Sequence, residues 1–383
     1  MAAGFAQSRF AARDVDFVLR SPSMNAWAQT WFWRGNAARY LDLDPEAAAA
    51  HYAQAVRRDP LLLDAWFAMA RMQAQSGRLS PGLVRFLLHD LPAGTVWQWP
   101  RLLLAADTDD ARSFRASFNF VLAHLPKHRQ EAMELAARFY GSWDGVLAAV
   151  DPENRWTALD LLLAQKETDA ALRCFSFLEA DPAPLDPHRT LRLVDYLIWN
   201  ERLEEARSLW ARHGTGWYGP GPVTNGGFED PLLGRAFGWR LQRHRNVEVR
   251  RTGSEAREGE HSVHLHFLGT ENLRYHHLWQ LVSVEPGRSY QLQFARKARG
   301  ITTDRGVYVE VTGFRCPGLR VKSEEVTGSS AWREETLAFT VPESCTVVRL
   351  GVRRDESLKF DNKIAGDYWI DAVRLVEAPS PGE

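Results

Sequence analysis

Eight residues in the C-terminal half have side chains suited to holding a sugar: Trp239, Tyr275, Trp279, Gln280, Arg296, Tyr308, Glu310 and Arg353. Each alternates with apolar neighbours and is expected on the outward side of a strand. Indole and phenol rings offer flat apolar faces that match the C–H face of a pyranose, and their N–H and O–H groups reach hydroxyls. Amide, guanidinium and carboxylate groups grip hydroxyl pairs through bidentate hydrogen bonds. The competing reading of each is packing or solubility. Trp332, after Gly328-Ser329-Ser330, is expected to seal the edge of the core.

A second constellation is rich in histidine. His264 and His266 fall on one face of a single strand, His261 is nearby, and His276–His277 occupy the next segment. Such a group suits a transition metal, or forms an ordinary polar face. Asp371 sits inside the apolar run Tyr368-Trp369-Ile370-Asp371-Ala372-Val373, where a buried carboxylate needs a cation or hydrogen bonds. The chain has no G-x-S-x-G, H-E-x-x-H, Walker or dinucleotide glycine signature. Gly214-Thr215-Gly216 runs into Trp217 and Tyr218 and reads as a linker. A carboxylate pair for glycoside hydrolysis is not legible, because separation along the chain says nothing of separation in space. The expectation is a protein without catalytic activity, with a polysaccharide-active enzyme using the histidines as the weaker alternative.

The elements that position these residues follow from hydrophobic period. After residue 222 the period is two. Val263, Leu265 and Phe267 alternate with His264 and His266. Tyr290, Leu292 and Phe294 form a second such set and Val307, Val309 and Val311 a third. Leu337, Phe339 and Val341 follow, then Val348, Leu350 and Val352. These are half-buried strands, separated by turn signals at 285–287, 327–329 and 365–367. Short strands at this spacing predict an antiparallel sandwich or jelly roll.

Before residue 214 apolar residues recur every three or four positions, the mark of amphipathic helices. Pro and Gly punctuate them into helix–turn–helix units. Phe32 and Trp66, Ala48 and Gly82, and Tyr52 and Phe86 are each 34 residues apart. Small residues allow close helix approach, and aromatics fill the gap between hairpins. This pattern resembles the tetratricopeptide repeat. Residues 128–149, 155–179 and 188–212 predict further hairpins, about five in all, with irregular breaks at 92–100 and 181–187. The resemblance implies a curved stack whose groove docks a peptide or partner protein; a plain spacer is the alternative. The expected organisation is therefore multidomain: an all-α array over 1–213, a Gly/Pro linker over 214–222, a β-sandwich over 223–377 and a tail over 378–383.

Net charge is −1 over 383 residues, so no overall field favours nucleic acid. Of three cysteines, none forms a C-x-x-C pair, while Cys316 and Cys345 share the β half and are candidates for a bridge in an oxidising compartment. No run of 18 apolar residues encodes a transmembrane helix. The opening MAAGFAQSRFAARD lacks the profile of a signal peptide.

The ordered set Val223-Thr224-Asn225-Gly226-Gly227-Phe228-Glu229, Gly238-Trp239, Gly259-Glu260-His261-Ser262, Trp279-Gln280, Glu285-Pro286-Gly287, Phe339-Thr340-Val341-Pro342 and Tyr368-Trp369-Ile370-Asp371 resembles the jelly-roll carbohydrate-binding modules of the family 4/9 type. The resemblance covers nearly the whole second half. It implies a polysaccharide or glycan ligand. It also implies a structural Ca2+ that pins the first strand to the last through Glu229 and Asp371, with a backbone carbonyl near Glu260. The pairing of domains suggests scaffolding in bacterial exopolysaccharide or O-antigen assembly or export. A sugar-binding module favours a periplasmic or membrane-associated setting, in tension with the absence of a visible export signal. The alternative is an interaction module that has lost sugar binding and caps the helical stack.

Overall fold

The computed structural model describes residues 22–92, 94–214, 221–360 and 362–378. Most of the expected linker and tail lies outside them. The chain divides into two compact units, Met1–Pro184 and Leu185–Glu383.

The first unit is built from helices paired in sequence. α1 (Ala28–Tyr40) and α2 (Pro45–Arg58) form the first hairpin; α3 (Leu63–Gln75) and the short α4 (Pro81–Arg85) follow where the second is expected, α4 running on into a wide turn over Phe86–Asp90. α5 (Gln98–Asp107) pairs with α6 (Ala111–His124), α7 (Arg129–Tyr140) with α8 (Trp143–Ala149), and α9 (Arg155–Ala164) with α10 (Thr168–Glu179). Helix starts are set by side chains that satisfy free backbone N–H groups. Asp44 accepts from Glu46 and Ala47, Asp110 from Ser113, and Ser142 from Gly145.

The first hairpin follows the packing logic of its sequence. Tyr52 is fully buried among Phe32, Ala38, Ala48 and Met69. A Cβ on Gly35 would stand 2.5 Å from the Tyr52 ring, so the glycine is what lets the ring in. The second hairpin departs from the expected repeat. Phe86, the counterpart of Tyr52, is exposed, and Gly82 has open space around it. What the structure establishes is an array of helical hairpins. The α5–α6 hairpin was not foreseen, and α5 takes up the last residues of the expected break at 92–100.

The second unit opens with one more hairpin, α11 (Pro187–Trp199) and α12 (Leu203–His213), and continues into the sandwich. Strands β1 (Arg240–Leu241), β4 (Tyr275–Ser283), β9 (Val347–Arg354), β6 (Val307–Gly313) and β7 (Arg320–Lys322) form sheet A in that order. Strands β2 (Val247–Thr252), β3 (Ser262–Leu268), β10 (Ala365–Glu377), β5 (Ser289–Ile301) and β8 (Gly328–Thr340) form sheet B. All pairings are antiparallel. The fold is thus an α array plus an antiparallel jelly-roll sandwich. The expected runs supply the filling between the sheets: Val263, Leu265, Phe267, Leu292, Phe294, Val309, Val311, Leu350 and Val352 are buried in one cluster. The turn expected at 365–367 is instead the start of β10. Gly366 belongs there because β10 passes so close to β5 that a Cβ would lie 2.4 Å from the Gly300 carbonyl oxygen.

Candidate carbohydrate-binding face

Alternation along sheet A sends one set of side chains into the core and the other outward. The outward set is Trp279 and Ser283 on β4, Arg349 and Arg353 on β9, Tyr308, Glu310 and Thr312 on β6, and Arg320 and Lys322 on β7. Two environments divide this face.

At one end the α11–α12 hairpin is seated on it. Arg207 donates to Ser283 Oγ at 2.7 Å and to the Val284 carbonyl at 3.3 Å. Asp195 binds the Arg240 guanidinium and accepts from the Ala236 N–H. The Arg240 guanidinium lies 5.5 Å from the Trp199 ring and 5.1 Å from the Trp279 ring, and Arg349 covers Trp279 again at 4.3 Å. Trp199, Arg240, Trp279 and Arg349 therefore alternate ring and cation in one stack. Such contacts are worth about 2 kcal/mol each when desolvated.

At the other end the face is open. A cleft of about 210 Å³ is lined by Arg274, Tyr275, His276, Tyr308, Glu310, Thr312, Arg320, Arg353 and Asp355. Glu310 is its hub. Its Oε1 accepts from Arg320 at 2.7 Å and its Oε2 lies 3.0 Å from Arg353. Tyr308 donates its phenol to Asp355 at 2.9 Å, and burial together with that carboxylate pushes the phenol up to about 12. His276 is held below its ordinary value by burial and by Arg353, Arg349 and Arg274. His277 is driven down to about 4 by burial and by His276, His244 and Arg353.

Four of the eight sequence-predicted residues, Tyr275, Tyr308, Glu310 and Arg353, converge on this cleft. The other four do not. Trp239 is in the core at 5.0 Å from the Phe228 ring, and its Nε1 donates to the Asn225 carbonyl. Gln280 is fully buried and donates to the Thr224 carbonyl at 2.8 Å. Both use their polar atoms to hold the opening segment of the domain, where backbone carbonyls would otherwise be unpaired. Arg296 is buried between Glu335 and the Glu324 carbonyl. Trp279 lies under the helical hairpin. Among the described residues no tryptophan ring lines the cleft; its rings are those of Tyr275 and Tyr308, and charged groups make up most of the rest. Sequence reasoning missed Arg274, Thr312, Arg320 and Asp355. Arg320 lies on β7, a three-residue strand too short to give a periodic signal.

The histidines separate. His261 meets Glu229, while His276 and His277 stack on one another with His244 beside His277. His264 Nε2 and His266 Nδ1 each lie 2.8 Å from Asp367 Oδ1 on the outside of sheet B, and Arg299 donates to Oδ2. Burial would raise the Asp367 carboxyl, but Arg299, His264 and His266 outweigh it and hold it at about 2. These three side chains have the donor types of a metal site. They are already matched to one another: Asp367 takes both imidazoles and Arg299, and Arg250 donates to His264 Nδ1.

The two carboxylates expected to hold calcium flank one loop. Asp371 is fully buried; its Oδ2 accepts from Arg257 N at 2.7 Å and Glu258 N at 3.0 Å. Glu229 Oε1 accepts from Glu260 N and His261 N. Glu260 contributes its backbone N–H here, not the carbonyl expected of a calcium ligand. Burial raises the Asp371 carboxyl, backbone donors lower it, and the Glu229 charge raises it further. Two carboxylates that repel across a loop, one of them buried, are a donor set that a divalent oxygen-seeking ion would relieve. Glu229 and Asp371 would hold it, and its role would be structural. If it binds, saturating Ca2+ should raise the melting temperature of the sandwich by about 5–10 °C and chelator should reverse this, as expected for about 2–3 kcal/mol of linkage in a domain of this size. Calorimetry with and without chelator reads this directly; identical transitions, or an equal calcium shift in Asp371→Asn, would remove the ion from the account.

Cys316 and Cys345 form a disulfide with Cα atoms 5.4 Å apart. Cys174 is free and buried, its thiol pushed up to about 12 by burial.

Several solved structures are similar to part of the chain. A family 4 carbohydrate-binding module matches at 16% identity and TM-score 0.30, over 41% of this chain and 99% of that one. A family 61 module in complex with β-1,4-galactotriose matches at 20% identity and TM-score 0.30, over 42% and 99%. A cyclase from Fischerella sp. matches at 19% identity and TM-score 0.31, over 41% and 95%. No protein-family model and no curated protein matches the chain. Among the described residues, no helix is long and apolar enough to cross a membrane.

Proposed function

We propose that this protein is a non-catalytic carbohydrate-binding protein whose sandwich takes a glycan in the open cleft of sheet A. The observation that carries the reading is the convergence of Tyr308, Glu310, Thr312, Arg320, Arg353 and Asp355 on one concave surface. These groups present donors and acceptors at fixed spacing on a rigid sheet, which is what recognition of adjacent hydroxyls requires. The helical array would dock a partner protein or peptide. Its first hairpin carries an open groove of about 700 Å³ lined by Trp31, Arg34, Asp42, Asp44 and His51 among others. Scaffolding in exopolysaccharide or O-antigen assembly is the setting that suits such a pairing.

A glycan array tests the reading. Arg320→Ala removes an exposed side chain from the cleft and should weaken the strongest hit about tenfold with only a small drop in melting temperature, because Glu310 keeps Arg353. Trp239→Ala should do the reverse, destabilising the domain by about 3–5 kcal/mol as a large core truncation. A blank array would favour the second reading, a sandwich that serves only to seat the α11–α12 hairpin. The specific observation behind that alternative is the stack of Trp199, Arg240, Trp279 and Arg349.

A further inference from the structure

We infer that the cleft is built for an acidic saccharide, one bearing carboxylate or sulfate groups. This inference rests on the carbohydrate reading above and narrows it. The whole chain is close to neutral, yet the open end of sheet A is not. Arg274, Arg320 and Arg353 line the cleft, and Arg349 of the neighbouring Trp279 stack acts on its His276, against the carboxylates of Glu310 and Asp355. Those carboxylates are already committed. Glu310 divides its two oxygens between Arg320 and Arg353, so one carboxylate serves two guanidinium groups. Asp355 accepts the Tyr308 phenol and also pairs with Arg305 at 3.2 Å. Arg349 has no carboxylate partner among the described residues; its Nε is buried without a hydrogen bond and its Nη2 reaches only the His276 carbonyl at 3.5 Å. Arg274 is exposed on the rim and makes no ion pair among the described residues. Lys322, 4.9 Å from the Tyr308 ring, is paired with Glu325 at 3.5 Å and is not counted in this excess.

The residual charge is therefore positive and is concentrated where the surface is concave, which focuses the field on whatever enters. Burial first, and then Arg353, Arg349 and Arg274, hold His276 below its ordinary value, so its imidazole adds little to this charge. A neutral sugar would have to compete with existing ion pairs for Arg320 and Arg353 and would leave the excess charge uncompensated. A saccharide carboxylate or sulfate would meet Arg274 directly and take a share of the Arg353 guanidinium, whose planar donors match either group in two parallel hydrogen bonds.

The test compares trigalacturonate, its carboxyl-reduced neutral counterpart and a sulfated oligosaccharide of the same length, each titrated calorimetrically into the full chain at low and physiological salt. The expected result is binding of an acidic probe at least tenfold tighter than the neutral one. That preference should shrink as salt rises, because the contacts are near the surface. Arg274→Gln, at an exposed position that leaves the core untouched, should cost the acidic probe about fivefold more affinity than it costs the neutral one. The carboxylated and sulfated arms decide which anion is preferred. Equal or stronger binding of the neutral trisaccharide, abolished by Arg320→Ala, overturns the acidic inference and leaves the carbohydrate reading standing. Binding of the acidic probe that is indifferent to both Arg274→Gln and Arg320→Ala overturns the inference by placing the anion elsewhere. Silence from all three probes, together with a blank array, overturns both.

Discussion

Alanine at Gly226 is expected to cost the sandwich about 3 kcal/mol or more, while alanine at the adjacent Gly227 is expected to be nearly silent. A Cβ at Gly226 would stand 1.8 Å from the Val373 carbonyl oxygen; the same atom at Gly227 meets nothing nearer than Glu229 Cγ at 3.9 Å. The closeness has a structural cause. Strand β10 is interrupted between Asp371 and Arg374, and Ala372 there adopts a left-handed φ of 52°. The opening segment runs past this irregularity, so that the Val373 N–H donates to the Gly226 carbonyl at 2.9 Å. The neighbouring carbonyls of Thr224 and Asn225 are taken by Gln280 and Trp239. A side chain at Gly226 would have to displace main chain, which cannot yield as a side chain does. Thermal melts of the two single variants check this. A drop of about 6–12 °C for Gly226→Ala beside one of a degree or two for Gly227→Ala is the outcome expected for a domain of this size. Equal melting of the two would mean the segment is not packed as described.

Removing the Cys316–Cys345 bond is expected to cost about 3 kcal/mol, since the two cysteines close a loop with a sequence separation of 29. The bond fastens the turn after β6 to the approach to β9. Phe314 in that turn lies 6.0 Å from the Trp199 ring, and Arg315 donates to the Trp199 carbonyl. The same bond therefore holds one edge of the seat on which α11 rests. A Cys316→Ser/Cys345→Ser double variant should melt about 6–12 °C lower, and reductant should lower the wild type to the same temperature while leaving the variant unmoved. Thiol titration in denaturant without reductant should find only Cys174. Three reactive thiols, or a reductant-insensitive melt, would contradict the bond.

Much of the sandwich was legible because strands with one buried face must alternate. The runs around Val263, Leu292, Val309 and Leu350 contain the pattern and became β3, β5, β6 and β9. Burial direction was harder to read for residues that combine a large apolar body with a polar tip. Trp239, Gln280 and Arg296 look outward by residue type, yet each is buried because its polar atoms find partners inside: the Asn225 and Thr224 carbonyls for the first two, Glu335 for the third. Trp279 faces outward from the core, and nothing in its own strand could reveal that the hairpin of Pro187–Trp199 and Leu203–His213 would cover it. Glu310, Tyr308 and Arg353 were legible through alternation alone. Their partners Arg320 and Asp355 were not, since one lies on a three-residue edge strand and the other just beyond the end of β9. In the helical unit the Tyr52–Gly35 fit follows from small and large residues at helical spacing, whereas the same spacing at Gly82 and Phe86 did not yield the same packing.

The most direct test of the central claim is backbone NMR mapping of the second unit within the full chain, titrated with the strongest glycan from the array. Perturbations clustered at Arg274, His276, Tyr308, Glu310, Arg320, Arg353 and Asp355 are the predicted result. Perturbations centred on Trp369, His264 and His266 of the opposite sheet, or none at saturating glycan, would contradict a binding cleft on sheet A.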